Sequence, residues 1–225
     1  MRRQLINWLG LTGVAALVSY AAAVVLAPAA YPGYDWLSQA VSDLSAVGAP
    51  SRELWSQLAA PYDACSVVCP TCACIYVSER KAHTRAFRVG IYLFALMSWV
   101  SSVGYGMFPL SEAGTGMGAF QDLMHVYVVT TAVVLLSIAS LSTLIVAGLR
   151  SPAARSVGAW AAVALAMMLI GAVGQGVVPP AFFGVVERFS VFAAVGFDAV
   201  LGLQLFGGFG LEGVSVGTAS LPETC

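Results

Sequence analysis

An all-α membrane bundle of six spanning helices, with a short helix on its outer face, is the fold this sequence predicts. Three observations predict it. Hydrophobic residues make up 59% of the 225-residue chain and charged residues only 9%, against roughly 25% charged in a soluble domain. Six apolar runs reach the ~20 residues that a helix needs to cross a bilayer. The basic residues fall almost entirely on one side of the alternation those runs impose. The mean hydropathy of +0.86 agrees, and no basic cluster of a size that would hold nucleic acid is present.

The runs are 5–26, 54–77, 89–108, 120–147, 157–178 and 189–209. All are too long for strands and lack strand alternation. Helices satisfy their own backbone hydrogen bonds, which lipid cannot do for them. The first run carries Arg2 and Arg3 before it and Ala27-Pro28-Ala29 after it, the outline of a signal peptide. Its apolar stretch from Trp8 to Leu26 exceeds the h-region of about 7–15 residues, so it is read as a retained span. One membrane domain over 1–210 and a flexible cytoplasmic tail over 211–225 complete the organisation.

Arg2, Arg3, Arg80, Lys81, Arg85, Arg88, Arg150 and Arg155 share one side, and only Arg52 and Arg188 take the other. The positive-inside rule then puts both termini in the cytoplasm. Asp35, Asp43, Glu53, Glu112, Asp122 and Glu187 lie outside. Helices one, three and five each run out to a proline, at Pro28, Pro109 and Pro179-Pro180. The returning helices carry polar residues near their outer ends: Asp63; Gln121, Asp122 and His125; Glu187 and Arg188.

The longest polar interruption is 31–50, YPGYDWLSQAVSDLSAVGAP. Asp35 suits an N-cap, Gly48 a C-terminal cap, and Pro50 prevents continuation. Trp36, Ala40, Leu44 and Val47 recur near helical spacing, which predicts a short amphipathic outer helix. Ser38, Ser42, Asp43 and Ser45 take the remaining faces, pointing either to water or into a cavity mouth.

This segment resembles the signature of a bacterial multi-pass family catalogued as domain of unknown function 998. That family has Pro-x-Tyr-x-x-x-Ser-x-x-x-Ser-Asp/Glu-Leu-x-x-x-Gly-Ala-Pro after its first helix. Pro32, Tyr34, Ser38, Ser42, Asp43, Leu44, Gly48, Ala49 and Pro50 match it. Phe108-Pro109, His125 and Glu187-Arg188 add weaker matches. Two departures stand out. Leu110 and Ser111 intervene before Glu112, and Asp198 stands where the family often has Trp. The resemblance implies six helices and a membrane location, and no activity.

Several residues carry chemical possibilities. Asp198 lies mid-span, where an acid costs about 2.5–3.5 kcal/mol, so it should face the bundle interior or be protonated. Asp63 sits beside Pro61, which frees a backbone carbonyl for a partner. Asp122 and His125 are three apart on one helix face, so the acid is positioned to orient the imidazole as in general-base sites. Adjacent Glu187 and Arg188 diverge, each toward a loop or a headgroup. Gln175 is placed to join the outer polar cluster.

Cys65, Cys69, Cys72 and Cys74 include a C-x-x-C pair, but no outer loop offers a second pair, so they read as packing residues. Gly171, Gly174 and Gly176 follow no strand and read as close-packing positions. His83 falls in the basic loop, which leaves His125 without a partner for a haem. The final LPETC resembles a sorting signal at a position expected to be cytoplasmic.

The functional expectation is a multi-pass protein that binds or translocates a small amphipathic or lipid-derived ligand through an outward-facing polar cavity. No cofactor and no metal is called for, and the expected partners are the lipid bilayer and the small amphipathic ligand. Two alternatives stand beside it. One is an outer-leaflet enzyme using His125 and Asp122 as acid/base with a serine such as Ser42. The other is an accessory membrane subunit.

Overall fold

The computed structural model describes residues 3–80, 83–111 and 119–213. Arg2, Lys81, Glu112 and the terminal segment with LPETC and Cys225 lie outside the described residues. Six helices are long and apolar enough to cross a membrane: α1 (Leu5–Ala30), α2 (Arg52–Arg80), α3 (Arg85–Met107), α4 (Phe120–Arg150), α5 (Pro152–Val177) and α6 (Pro180–Phe206). No strand occurs among the described residues. This is the architecture of a multi-pass membrane protein. Large apolar side chains such as Val18, Val25, Leu135, Leu149, Val173 and Val177 point outward from the bundle, as a lipid-facing surface requires.

Several helices begin earlier than their apolar runs. The added first turns carry polar or charged residues that a hydropathy reading excludes. Thr84 caps α3 by accepting from the Phe87 N–H at 3.2 Å. Pro152 and Pro180 open α5 and α6, where a missing N–H costs nothing. Each helix packs on its neighbour in sequence, α6 closes the ring on α1, and α2 and α6 also meet.

Small residues set the closest approaches. A Cβ on Gly148 of α4 would fall 2.8 Å from the Gly158 Cα of α5. A Cβ on Gly10 of α1 would fall 2.6 Å from the Gly202 carbonyl oxygen of α6, and one on Gly171 of α5 would collide with Ser190 of α6. Asn7 ties the same α1–α6 contact by donating to the Leu205 carbonyl at 2.8 Å. The four cysteines of α2 are free thiols. Cys69 and Cys72 are buried, and the Cys69 thiol reaches the Asp198 carbonyl at 3.6 Å.

Helix α2 contains Pro61 and Pro70. A proline cannot donate to the carbonyl four residues back, and its ring pries the ladder open. At Pro61 the opening is filled from α1. The Ser19 hydroxyl donates to the Leu58 carbonyl at 2.6 Å and accepts from the Tyr62 N–H at 3.1 Å. One hydroxyl therefore replaces a broken helical bond and fastens two helices together. The polar group that enters α2 beside Pro61 is the Ser19 hydroxyl of α1.

At the end of the bundle where the chain enters and leaves, His83 stacks on Phe87 with ring centroids 4.3 Å apart and meets Phe209 edge-on. Phe209 holds a left-handed backbone (φ 52°) between two glycines that do the same. Neither ring nitrogen of His83 has a hydrogen-bond partner among the described residues. Tyr76 meets Phe209 and carries Arg80 over its own ring. Burial pushes the His83 pKa below its ordinary value of 6.5. The unfolded ring then protonates at a higher pH than the folded one. The stability His83 contributes is full above about pH 6.5 and is lost as pH falls toward the lower folded value. In detergent, the melting temperature should fall between about pH 7.5 and about pH 5.5, and less so in His83→Phe. Equal falls in both proteins would exclude this source.

Segment 31–50 does not form the expected amphipathic helix. Its regular structure is one 3-10 turn, Ser42–Ser45. The reason lies in its own polar side chains, which satisfy the backbone locally and so compete with a helix ladder. Asp35 accepts from the Leu37 N–H at 3.1 Å and the Ser38 hydroxyl at 2.6 Å. Gln39 accepts from the Asp35 N–H at 2.7 Å, and Asp43 from the Ala40 N–H at 3.1 Å. The result is a compact lid. Val41, Leu44 and Ala46 are buried, while Trp36 and Val47 of the expected apolar face are exposed.

Candidate functional site

The polar residues at the starts of α4 and α6 act as latches for the loops. Glu187 accepts from the Val41 N–H at 2.9 Å. Arg188 donates from Nη1 to the carbonyls of Trp36 (2.8 Å), Gln39 (3.2 Å) and Gly184 (2.6 Å), and from Nη2 to the Tyr34 hydroxyl at 2.7 Å. Burial raises the Tyr34 pKa against the opposing pull of that guanidinium, so Tyr34 stays a neutral phenol and accepts the bond. The Val47 N–H and Gly48 N–H pair with the carbonyls of Leu110 (2.9 Å) and Ser111 (3.2 Å). The lid is thus fastened to α6 at one side and to the α3–α4 loop at the other.

That second loop is held in turn by α4. Asp122 accepts from the Ser111 N–H at 2.8 Å, His125 Nδ1 donates to the Phe108 carbonyl at 2.7 Å, and Gln121 donates to the Pro109 carbonyl. A π-helical turn, Met124–Val129, opens α4 here, and Thr130 donates to the His125 carbonyl across it at 2.9 Å. Asp122 and His125 therefore each serve the loop backbone, and the bond by which Asp122 would orient the imidazole is absent from the described contacts.

The lid presses Val41 into a cluster with Tyr20, Val24 and Val195, bordered by Trp55, Tyr62 and Phe192. Beyond this aromatic layer lies a small cavity of about 30 Å³ between α2, α3 and α6. Tyr62 and Ser66 of α2 line it, with Phe94, Met97, Ser98 and Ser101 of α3 and Ala194, Val195 and Asp198 of α6. Asp198 is 4% exposed; the Cys69 thiol stands beside its carboxyl, and neither carboxylate oxygen meets hydrogen-bond geometry with a partner among the described residues. From Asp198 to the end of α6 the helix rises about 12 Å. The acid therefore lies near mid-depth of a hydrocarbon core about 30 Å thick.

Of the residues singled out in the sequence, only Asp198 reaches this cavity. Asp63 is exposed on α2, and Gln175 is exposed on α5. Ser38 is bound to Asp35, Asp43 is buried within the lid, and Ser42 is half-buried in its turn. The four hydroxyl residues on the cavity wall carried one usable signal. Tyr62 and Ser66 are four apart, and Ser98 and Ser101 three apart, so each pair shares a helix face. Among the described residues no group of three or more His, Cys, Asp or Glu gathers as a metal site.

A family model described as "Protein of unknown function (DUF998)" matches residues 14–204. No curated protein and no solved structure matches the chain.

Proposed function

The chain belongs to the DUF998 family of proteins of unknown function, and from that premise we propose that this member moves a small ligand across the membrane by way of a proton-exchanging carboxyl, Asp198. The observation that carries the reading is the unpartnered, buried carboxyl on the wall of a hydroxyl-lined cavity. An isolated charge in such a setting costs several kcal/mol. The resting group is therefore the neutral acid, and gaining or losing its proton changes the energy of the whole site. A buried acid kept only for structure has its oxygens bonded to a neighbour.

The cavity has room for one or two waters. The amphipathic or lipid-derived ligand of the sequence reading needs the helices to part, so the proton is the species this conformation handles. The lid and the aromatic layer beneath it close the route on the side proposed to face outward. An enzyme built on Asp122 and His125 is the weaker reading, because both side chains are engaged in holding the α3–α4 loop.

The test is infrared titration of the protonated carboxyl in purified protein, paired with proton flux into proteoliposomes. The wild type should show the band of a protonated carboxyl that disappears when the proton is withdrawn at high pH. Asp198→Asn should lack that band and lose proton flux at least tenfold. Equal flux and an unchanged spectrum in the variant would overturn the proposal.

A further inference from the structure

The same cavity has the donor set of an alkali-cation site. We propose that a dehydrated monovalent alkali cation competes with the proton for Asp198. The inference rests on the reading of Asp198 as a proton-exchanging group and names the ligand that drives the exchange.

The argument begins with the oxygens. Ser98 donates its hydroxyl proton to the Phe94 carbonyl at 3.0 Å, and Ser66 donates to the Asp63 carbonyl at 3.5 Å. A hydroxyl that has given its proton to the backbone keeps only lone pairs to offer, so both serines present acceptors. Ser101 and Tyr62 are the other two hydroxyl residues lining the same wall. Pro70 follows Ser66 by four residues and carries no N–H. The Ser66 carbonyl therefore lacks its usual intrahelical donor at the half-buried rim of the cavity. Hard cations take oxygen ligands of this kind.

Charge then selects the valence. The cavity wall contains one carboxylate and no other charged side chain. One negative charge in a low-dielectric interior is neutralised by one proton or by one monovalent ion. A divalent ion would leave a net positive charge with the same desolvation penalty. The titratable groups facing Asp198 are Tyr62, Cys65 and Cys69, all on α2. Helix α1 meets its backbone through Gly13, and α3 meets the cavity through Phe94, Met97, Ser98 and Ser101. A cavity of about 30 Å³ accepts one bare ion or one or two waters, which excludes a hydrated ion. The exchange is balanced: the neutral acid releases H⁺ as the cation enters, and the resulting carboxylate and cation together carry no charge.

The test repeats the infrared titration of the full chain in sodium, lithium, potassium and choline chlorides. Choline is too large for the cavity and supplies the reference. Saturating sodium, lithium or potassium should weaken proton binding at Asp198 by at least about tenfold, one pKa unit, for whichever ion the cavity accepts. Ser98→Ala and Ser101→Ala should each reduce that effect, and the two variants guard against one that fails to fold. Identical titrations in every alkali chloride and in choline would overturn the cation site while leaving the proton-exchanging Asp198 standing. A carboxyl band that survives in Asp198→Asn would overturn both.

Discussion

Arg188→Ala should release the 31–50 lid from the bundle. Three of the guanidinium's four bonds reach the lid, to the Trp36 and Gln39 carbonyls and the Tyr34 hydroxyl, and the fourth goes to Gly184 of its own helix. Hydrogen bonds to a charged donor contribute about 1.5–3 kcal/mol each, less where solvent competes, as it does at the Trp36 carbonyl. A loss of about 3 kcal/mol of docking is then a conservative expectation, and each 1.4 kcal/mol is tenfold in the open population. Chymotrypsin cleavage at Tyr34 or Trp36 should accelerate about a hundredfold in native protein. Arg188→Lys should recover little, because a point ammonium cannot reproduce a planar fork that reaches two lid carbonyls and a phenol. Wild-type protease resistance in Arg188→Ala would mean that the Val47 and Gly48 pairing with Leu110 and Ser111 holds the lid alone. Glu187 gives an independent check, since its carboxylate holds the Val41 N–H of the same lid.

The six spans were legible because lipid imposes a length and a composition that few other environments impose. Their first turns were not, because Arg85, Arg88 and Glu187 belong to helices that a hydropathy window trims. The latching role of Glu187 and Arg188 was visible in outline: adjacent charges on a helix diverge, so each had to find a separate partner. The lid's conformation was not visible. A cap-like Asp35 and a cap-like Gly48 predict a helix only if the side chains between them leave the backbone alone, and Gln39 and Asp43 do not. Asp198 was legible as an acid in the wrong solvent. Its surroundings were hidden, because nothing in a single sequence fixes the rotation of α2 and α3. That rotation decides that Ser98 faces the acid and Asp63 does not.

The α1–α6 contact that fixes Asp198 in place should be the least tolerant point of the bundle. A Cβ on Gly202 would collide with the Gly10 carbonyl and stand 3.3 Å from the Cys69 sulfur. The first obstacle is backbone, so no side-chain rotation relieves it. Helix α1 would have to move off α6. Two further contacts would go with it: the Asn7 bond to the Leu205 carbonyl, and the seat of Gly13 against Asp198, where a Cβ would fall 2.5 Å from the carbonyl oxygen. Overpacking costs about 1–3 kcal/mol where neighbours can shift, and more where they cannot. Gly202→Val should therefore lose at least about 3 kcal/mol, read as loss of monodisperse protein after mild heating in detergent. Gly196 on the same helix is the control, because nothing lies within 4 Å of a Cβ built there. Gly196→Ala should be neutral or stabilising by up to about 1 kcal/mol through helix propensity. If both variants survive heating equally, α1 is not clamped to α6 as described. If only Gly202→Val fails, the seat of Asp198 depends on two glycines that bring α1 within backbone contact, and the acid's depth follows from that packing.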